Sequence, residues 1–464
     1  MMNKITLLTF ITAALSVSSA FANTDVGILS QTECASDSQQ LTATQLIEKK
    51  IRGFNQTDFG SQLLARAESG SLVLIKSGVV SVDQSVSSPN FGKSRDFAYA
   101  RALTQVQAKF ILKSSTNSQA KIMTDEYSAE PSNDDLTFTN ENSSENVTVR
   151  LGDKLFKLAE AKLDNALREE GVSEDEVQAT PREKKVDRLR KSIIQKSSRS
   201  AFGKASGLIP VKTMEAVDCN GRAGVAIISV YSEKNEEFVK AVLDGHSIKP
   251  NKDRAAKQTL QAQVDTEIDN GSIIYELGIR KLYDTAGYPM LASYGQWAYV
   301  PRQGMAKANE RSRRSALNQA DAGAYEQLTL FLNSQASFSD ETSREEFVKA
   351  FTKVTETDRG IVETEEEITE YLEKGLKSFS VKAAVTLTGI SDPMHWDLPY
   401  PHESAQSNIV GSVLYWSPRN EDAINTAKGN KAKRNTLKPL VDPTQAIEAS
   451  KVNESKVKND IDDF

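Results

Sequence analysis

The sequence predicts an α+β protein that contains two tandem copies of one unit. In each copy an Ala-rich helix packs on a small, mostly antiparallel sheet, and a helical connector and a disordered tail complete the chain. Three observations support this prediction: apolar residues at helical spacing in two Ala-rich segments, β-branched runs after each segment, and the same order of elements in both halves. The 464 residues allow two to four domains at roughly 100–200 residues each.

A signal peptide is predicted over residues 1–22. An apolar stretch from Ile5 to Val17 follows a weakly basic start, and small residues lead up to Ala22. This pattern is typical of a Sec signal peptide, so we expect cleavage between Ala22 and Asn23. No cysteine follows the apolar stretch to carry a lipid. The sequence therefore predicts a periplasmic or secreted protein.

The first copy is predicted over residues 70–237. A loose segment and a helix precede it in residues 23–69. Its Ala-rich helix covers about 94–112, and a segment rich in Ser, Asn, Asp and Glu, 114–146, is interpreted as a solvated insertion. A hairpin that ends with the strand 223–231 closes this copy.

The second copy is predicted over residues 287–422, after a helical connector in 238–286. It has its own Ala-rich helix at about 305–332 and a closing strand at 409–416. The remaining residues, 423–464, are polar and are expected to be largely disordered.

Two segment pairs support the duplication at residue level. Residues 102–108 match 316–322 at an offset of 214, and residues 231–237 match 416–422 at an offset of 185. The two offsets differ by about the length of the polar insertion, which is present in the first copy only. Ala102 is therefore expected to be equivalent to Ala316, and Tyr231 to Trp416, with both alanines facing a sheet.

The helices that begin near Arg101-Ala102-Leu103 and Arg314-Ser315-Ala316-Leu317, with the strands that follow them, resemble a small bacterial envelope domain. This domain occurs in LPP-type outer-membrane lipoproteins and in flagellar outer-ring assembly proteins. The chain is also similar to uncharacterised exported families of marine gammaproteobacteria. These resemblances imply a non-catalytic envelope protein, and they carry no active-site residues over to this sequence.

Charge and motifs narrow the functional classes. With 57 basic and 63 acidic residues the net charge is −6, which argues against a nucleic-acid-binding protein. No apolar run beyond residue 22 is long enough to span a membrane. The sequence also has no phosphate-binding loop, nucleophile elbow or HExxH motif, so we expect no enzyme activity and no cofactor.

Two groups of residues are candidates for specific roles. Cys34 and Cys219 are an even pair in an oxidising compartment, where a disulfide is expected, although two free thiols stay an alternative. The segment 392–403 contains two histidines, aromatic residues and several carboxylates, and it is interpreted as a connector, a binding loop or, less simply, a metal site. The candidate partner contacts are Trp297, Tyr299, His395, Trp396, Tyr400 and His402.

Three functional hypotheses follow. The leading one is a structural or assembly component of the cell envelope that contacts envelope or surface proteins, with a homo-oligomer as one form. The basic helix faces suggest peripheral contact with anionic envelope components. The alternatives are a soluble ligand- or glycan-binding module that uses exposed aromatic residues, and a metal-dependent hydrolase with its site at His395 and His402.

Overall fold

The computed structural model describes residues 41–125, 155, 158–243, 248–337, 369–370, 389–420 and 453–464. The predicted signal peptide, the cleavage site between Ala22 and Asn23, and Cys34 lie outside these residues. In the described part, no helix is both long and apolar enough to cross a membrane. The helices are α1 (Ala43–Asn55), α2 (Asp58–Glu68), α3 (Phe91–Asp125), α4 (Glu160–Glu169), α5 (Glu174–Ala179), α6 (Arg182–Ala205), α7 (Glu233–Leu243), α8 (Leu260–Asp269) and α9 (Ala306–Ser337). The strands are β1 (Val73–Lys76), β2 (Val80–Ser81), β3 (Leu208–Val217), β4 (Ala223–Tyr231), β5 (Gly278–Tyr283), β6 (Pro289–Tyr299), β7 (Met394–Pro399), β8 (Asn408–Trp416) and β9 (Asn453–Glu454).

The strands form two antiparallel sheets, one in each half of the chain. The first has the order β1-β4-β3-β9, with β2 also paired to β4, and the second has the order β5-β6-β8-β7. The triplets β1-β4-β3 and β6-β8-β7 therefore share one topology. At their ends Tyr231 pairs with Val73, and Trp416 pairs with Leu291. Tyr231 and Trp416 thus occupy equivalent places, and the tandem α+β fold class is confirmed.

The Ala-rich helices α3 and α9 each bury the alanine that the sequence marks as equivalent. Ala102 is fully buried, and Ala316 lies in a cluster with Val410 of β8. In the second copy the helix comes closest to the sheet at Gly295, where a Cβ atom would lie 2.2 Å from the carbonyl oxygen of Ala320. Small residues on both sides therefore let the α9 backbone lie directly on β6.

The opposite face of the first sheet is covered by α1 and α2. Their residues Ile47 and Leu63 are fully buried in a cluster with Val211 of β3 and Ile228 of β4. A capping box at Thr42 fixes the start of α1 by satisfying backbone N–H groups that the helix leaves unpaired. The first sheet is therefore buried on both faces.

The first part of the polar insertion predicted over 114–146 is wrong, because α3 continues to Asp125. Residues 126–146 lie outside the described residues. Ser115 and Gln119 are buried, and the Ser115 hydroxyl lies 3.1 Å from the hydroxyl of Ser197 on α6. Hydroxyl groups that bond to one another can be buried between helices without an unsatisfied polar atom. Polar composition was therefore a misleading boundary signal here.

Two other predicted boundaries are corrected. Strand β5 pairs with β6, so the end of the predicted connector 238–286 belongs to the second sheet. Residues 453–464, within the tail 423–464 that was expected to be largely disordered, are ordered: β9 pairs with β3, and Phe464 is buried. The reason is that this short stretch carries apolar residues between its charges, and its Lys458 has buried acidic partners.

Candidate partner-contact site

The third strand of each copy carries one carboxylate that is bonded by a residue of the Ala-rich helix. Glu215 on β3 lies opposite Val225 of β4, and Asp397 on β7 lies opposite Val410 of β8. The alignment of β4 with β8 makes the two valines equivalent, so Glu215 and Asp397 occupy the same position of the duplicated sheet. Sequence comparison alone did not reveal this correspondence.

In the first copy this carboxylate belongs to a closed cluster made of Glu215, Arg95, Tyr99 and Tyr400. Arg95 donates from Nε to both carboxylate oxygens of Glu215, at 3.0 and 2.8 Å. Both side chains are completely buried. A buried ion pair is tolerated when further hydrogen bonds satisfy its remaining donors and acceptors, and this cluster supplies them.

The further bonds of Arg95 reach the second half of the chain. Its Nη1 donates to Oε1 of Gln296 on β6 at 2.8 Å, and its Nη2 donates to the carbonyl oxygen of Ile274 at 2.6 Å. Burial disfavours the charged form of Arg95, but Glu215 together with Tyr99 and Tyr400 more than compensates, so the pKa of Arg95 is raised. The guanidinium therefore stays charged and joins the two copies. We call the contact between the copies around Arg95, Gln296 and Ile274 the seam.

Two tyrosines complete the closed cluster. The hydroxyls of Tyr99 and Tyr400 donate to Glu215 at 2.9 and 2.6 Å. Burial and the neighbouring carboxylate raise the pKa of both tyrosines well above the ordinary range. Phe91 covers Tyr400 in an edge-on contact, with ring centroids 4.8 Å apart. The prediction that Tyr400 contacts a partner is therefore wrong, because this side chain is buried in the seam.

Asp96 lies next to the closed cluster, but its carboxylate, unlike that of Glu215, accepts no hydrogen bond. Its Oδ1 lies 3.8 Å from Nη1 of Arg95, and neither carboxylate oxygen has a hydrogen-bond partner. Burial raises the pKa of Asp96 to about 7, against the opposing effect of Arg95. The group is consequently poised to gain a proton near neutral pH.

In the second copy the equivalent carboxylate belongs to an open cluster made of Asp397, Arg313, Tyr299 and Asn408. Asp397 accepts from Arg313 Nε at 2.8 Å, from the Tyr299 hydroxyl at 3.0 Å and from Asn408 Nδ2 at 3.0 Å. Arg313 occupies on α9 the position of Tyr99 on α3. The Arg313 side chain is 24% exposed and that of Asp397 is 11% exposed. The second copy thus presents to solvent what the first copy buries.

An aromatic pair, Phe97 and Trp297, bridges the two copies. Phe97 of α3 is 66% exposed, and its ring packs edge-on against Trp297 of β6 with centroids 6.5 Å apart. Trp297 and Tyr299 are both partly buried against the cluster of Ala316 and its neighbours. The aromatic pair and the open cluster are therefore neighbours, because Trp297 and Tyr299 lie two residues apart on the same face of β6.

The histidines of the segment 392–403 take separate roles. His395 lies on β7 and its Nε2 is 2.7 Å from Oδ1 of Asp321 on α9. His402 accepts from the backbone N–H of Ser404 at 3.2 Å, and burial lowers its pKa. Among the described residues, no group of three or more His, Cys, Asp or Glu side chains is placed to hold a metal ion.

Trp396 does not reach solvent, so its prediction as a partner contact is wrong. This residue lies on β7, which replaces the middle half of the loop expected there, and only 1% of it is exposed. Its indole lies against Gly411 of β8, where a Cβ atom would meet the ring at 2.1 Å. Strand alternation explains the difference, because His395 and Asp397 face α9 while Trp396 faces the opposite side.

Cys219 is disulfide-bonded in the turn after β3. Cys34, the other cysteine of the sequence, lies outside the described residues. The predicted bridge between the two residues therefore stays a prediction.

The sequence analysis missed Arg95, Tyr99 and Glu215 of the closed cluster, and it named Tyr400 in a different role. A signal was present, because Glu215 interrupts the apolar strand β3 and Arg95 lies on the apolar face of α3. A charge within a buried pattern is unusual unless it has a partner. The partner could not be found, because Arg95 and Glu215 are 120 residues apart in the sequence.

Comparisons with known proteins give little functional information. Residues 148–244 match the model of a domain of unknown function, DUF6844. A crystal structure of the hypothetical protein FTT1539c from Francisella tularensis is similar, with 20% identity and a TM-score of 0.46 over 82% of this chain and 92% of that one. No curated protein matches this chain.

Proposed function

We propose that this chain is a non-catalytic, exported component of the bacterial cell envelope that acts through protein–protein contacts. The contact surface is the open cluster together with the aromatic pair Phe97 and Trp297. The proposed location rests on the predicted signal peptide, and the proposed role rests on the geometry of this surface.

The observation that carries the proposal is the open state of the second cluster. In the first copy, the equivalent carboxylate is completely buried beside Tyr400, whereas the side chains of Asp397 and Arg313 are 11% and 24% exposed. An Arg–Asp pair beside the exposed ring of Phe97 and the partly buried ring of Trp297 has the composition of protein–protein contact sites, in which Arg, Trp and other aromatic residues contribute most of the binding energy.

The closed cluster supports the same function by fixing the surface in place. Arg95 of α3 bonds to Glu215 in the first copy and to Gln296 on β6 in the second. These bonds fix α3 relative to β6, and therefore Phe97 relative to Trp297. A surface that is ordered before binding loses less conformational entropy in the complex. Rigid joining of the copies therefore favours a contact role.

The glycan-binding alternative is weakened by the same structure. It relied on Trp297, Tyr299 and Trp396 as exposed aromatic residues. Trp396 is buried, and the hydroxyl of Tyr299 already donates a hydrogen bond to Asp397. Of these three residues, only the part of the Trp297 ring that Phe97 does not cover could stack on a sugar ring.

The test is site-specific cross-linking in the native host. A photoreactive amino acid replaces Phe97 in the full chain, and a second chain carries it in place of Tyr325, an aromatic residue of α9 that is also exposed. We expect ultraviolet light to join position 97, and not position 325, to one discrete envelope protein. Asp397→Asn should weaken that product, because it removes the negative charge that pairs with Arg313.

Two outcomes would contradict the proposal. One is recovery of the chain from the cytoplasm with an intact residue Met1. The other is a product pattern that is the same at positions 97 and 325, which would indicate random encounters.

A further inference from the structure

Residues 453–464, which we call the clasp, add a strand to the edge of the first sheet. Glu454 lies opposite Met214 of β3. The backbone N–H of Ser455 donates to the carbonyl oxygen of Thr213 at 3.0 Å, and the Ser455 hydroxyl accepts from the backbone N–H of Thr213 at 2.9 Å. The clasp is thus held in the way that strand-addition peptides are held.

Four residues after β9, the side chain of Lys458 enters an acidic pocket formed by Glu267, Glu276 and Tyr294. Its Nζ lies 2.9 Å from Glu267 and 2.8 Å from the Tyr294 hydroxyl, and 3.6 Å from Glu276. The ammonium also lies 4.3 Å from the centre of the Tyr294 ring. All of these side chains are almost fully buried, so the ammonium of Lys458 is held by two carboxylates and an aromatic ring away from solvent.

The far end of the clasp is anchored on the N-terminal helices. Arg66 of α2 donates to the carbonyl oxygen of Ile461 at 2.8 Å. The ring of Phe464 is buried next to Phe59, with centroids 6.5 Å apart. The clasp therefore has three recognition features in sequence: a strand, a buried ammonium and a buried aromatic ring.

We propose that the surfaces of β3, the acidic pocket and α2 form a peptide-binding groove, and that residues 453–464 of a second copy of this chain occupy it. The groove selects a lysine-bearing strand that ends in an apolar anchor. In the structure, the clasp of the same chain shows the bound state. The groove is separate from the open cluster, so this inference does not depend on the proposed function.

Chain length permits the exchange between copies. Residues 421–452 join β8 to the clasp, and a stretch of that length spans up to roughly 100 Å when extended. A folded chain of this size has a radius of gyration of only about 22 Å. The clasp of one copy can therefore reach the groove of a neighbour, where it meets the same contacts that it makes in its own.

The first experiment measures the groove with a peptide. A protease site is placed within residues 421–452 of the full chain, the chain is cut after folding, and a labelled peptide of residues 453–464 is added. We expect uptake of one peptide per chain. The Lys458→Met peptide should bind at least tenfold more weakly, whereas Lys456→Met, at an exposed position, should bind like the unchanged peptide. Failure of uptake, or equal affinity of the two variants, would overturn the groove.

The second experiment tests exchange in the uncut chain. A chain with Thr213→Cys is mixed with a differently tagged chain with Ser455→Cys, because these residues are strand neighbours. A disulfide-linked dimer with both tags is expected after oxidation. A pair of chains that fold with normal melting temperatures and give no mixed dimer would contradict exchange, even where peptide uptake succeeds.

Discussion

The two copies place a carboxylate at the same position and use it differently. Glu215 is bonded by Arg95, Tyr99 and Tyr400 in the dry seam between the copies. Asp397 is bonded by Arg313 at an accessible surface. The molecule thus has two versions of one cluster, of which the first joins the two copies and the second is partly exposed.

The two Ala-rich helices also differ in how closely they lie on their sheets. At the positions of Ala320 and Ala324 on α9, helix α3 has Val106 and Phe110. Phe110 fills the space with a ring contact to Tyr231, with centroids 4.8 Å apart. The second helix therefore lies close to its sheet through small residues, whereas the first is held by larger side chains. Each copy should consequently respond differently to changes of side-chain volume and charge.

The largest difference is expected for the carboxylates themselves. Glu215→Gln leaves Arg95 buried without its counter-charge, which costs roughly 3–5 kcal/mol of unfolding free energy. Asp397→Asn leaves Arg313 in contact with water, so its cost should be about 1 kcal/mol or less. Urea unfolding of the two variants measures both values. Similar losses in the two variants would show that the clusters are equally buried.

A second difference concerns pH, because Asp96 is raised in pKa to about 7 in the folded chain from 3.8 in the unfolded chain. A carboxyl with a raised folded pKa holds its proton more tightly when folded. Ionising Asp96 in the folded chain therefore lowers the free energy of unfolding. This loss is absent below about pH 4, grows as the pH rises, and reaches its full value of up to about 4 kcal/mol above pH 7.

Asp96→Asn should remove this slope and stabilise the protein at pH 8 more than at pH 4, as measured by unfolding at each pH. The matched control is Glu310→Gln, since Glu310 has the equivalent position on α9 and lies at the surface 3.5 Å from Arg314. An unchanged slope in Asp96→Asn, or an equal change in the control, would place the titrating group elsewhere.

The third effect is overpacking of the second helix. Ala320→Phe puts a ring where the helix backbone touches Gly295, and we expect a loss of roughly 1–3 kcal/mol. The control Ala322→Phe is on the exposed side of α9 and should change stability by less than about 0.5 kcal/mol. Thermal melting distinguishes the two. Equal melting temperatures would mean that α9 does not lie directly on β6.

The smallest effect on stability is expected for Arg313→Gln. The guanidinium is partly exposed and its ion pair contributes about 1 kcal/mol or less. The same change should nevertheless reduce cross-linking from position 97. A large loss of stability would indicate that the open cluster is a structural element like the closed one.

The sequence predicted the duplicated architecture better than the sites. Helical spacing and the matched segments around Ala102 and Ala316 were sufficient to predict the fold, because apolar residues that face a core recur at the period of the helix or strand that carries them. The helical part of 114–125 and the clasp were missed, since their polar residues are buried by partners that only the folded chain supplies. Composition does not contain those pairings.

Two of the candidate contacts, Trp396 and Tyr400, are buried. Trp297 and His395 are accessible in part, and their contact role stays a prediction. The three prolines of 392–403 favoured a loop, whereas half of this stretch is the edge strand β7. The strand contains only Pro399, and an edge strand tolerates proline because one of its sides needs no hydrogen bonds. Once the segment is a strand, alternation decides which side chains are buried.

The most direct measurement is a pair of double-mutant cycles. One cycle combines Tyr99→Phe with Glu215→Gln, and the other combines Arg313→Gln with Asp397→Asn, at equivalent positions of the two copies. A coupling energy of about 1.5–3 kcal/mol is expected in the buried pair and less than about 1 kcal/mol in the accessible pair. Equal couplings, or a larger coupling between Arg313 and Asp397, would contradict the assignment of one closed and one open cluster.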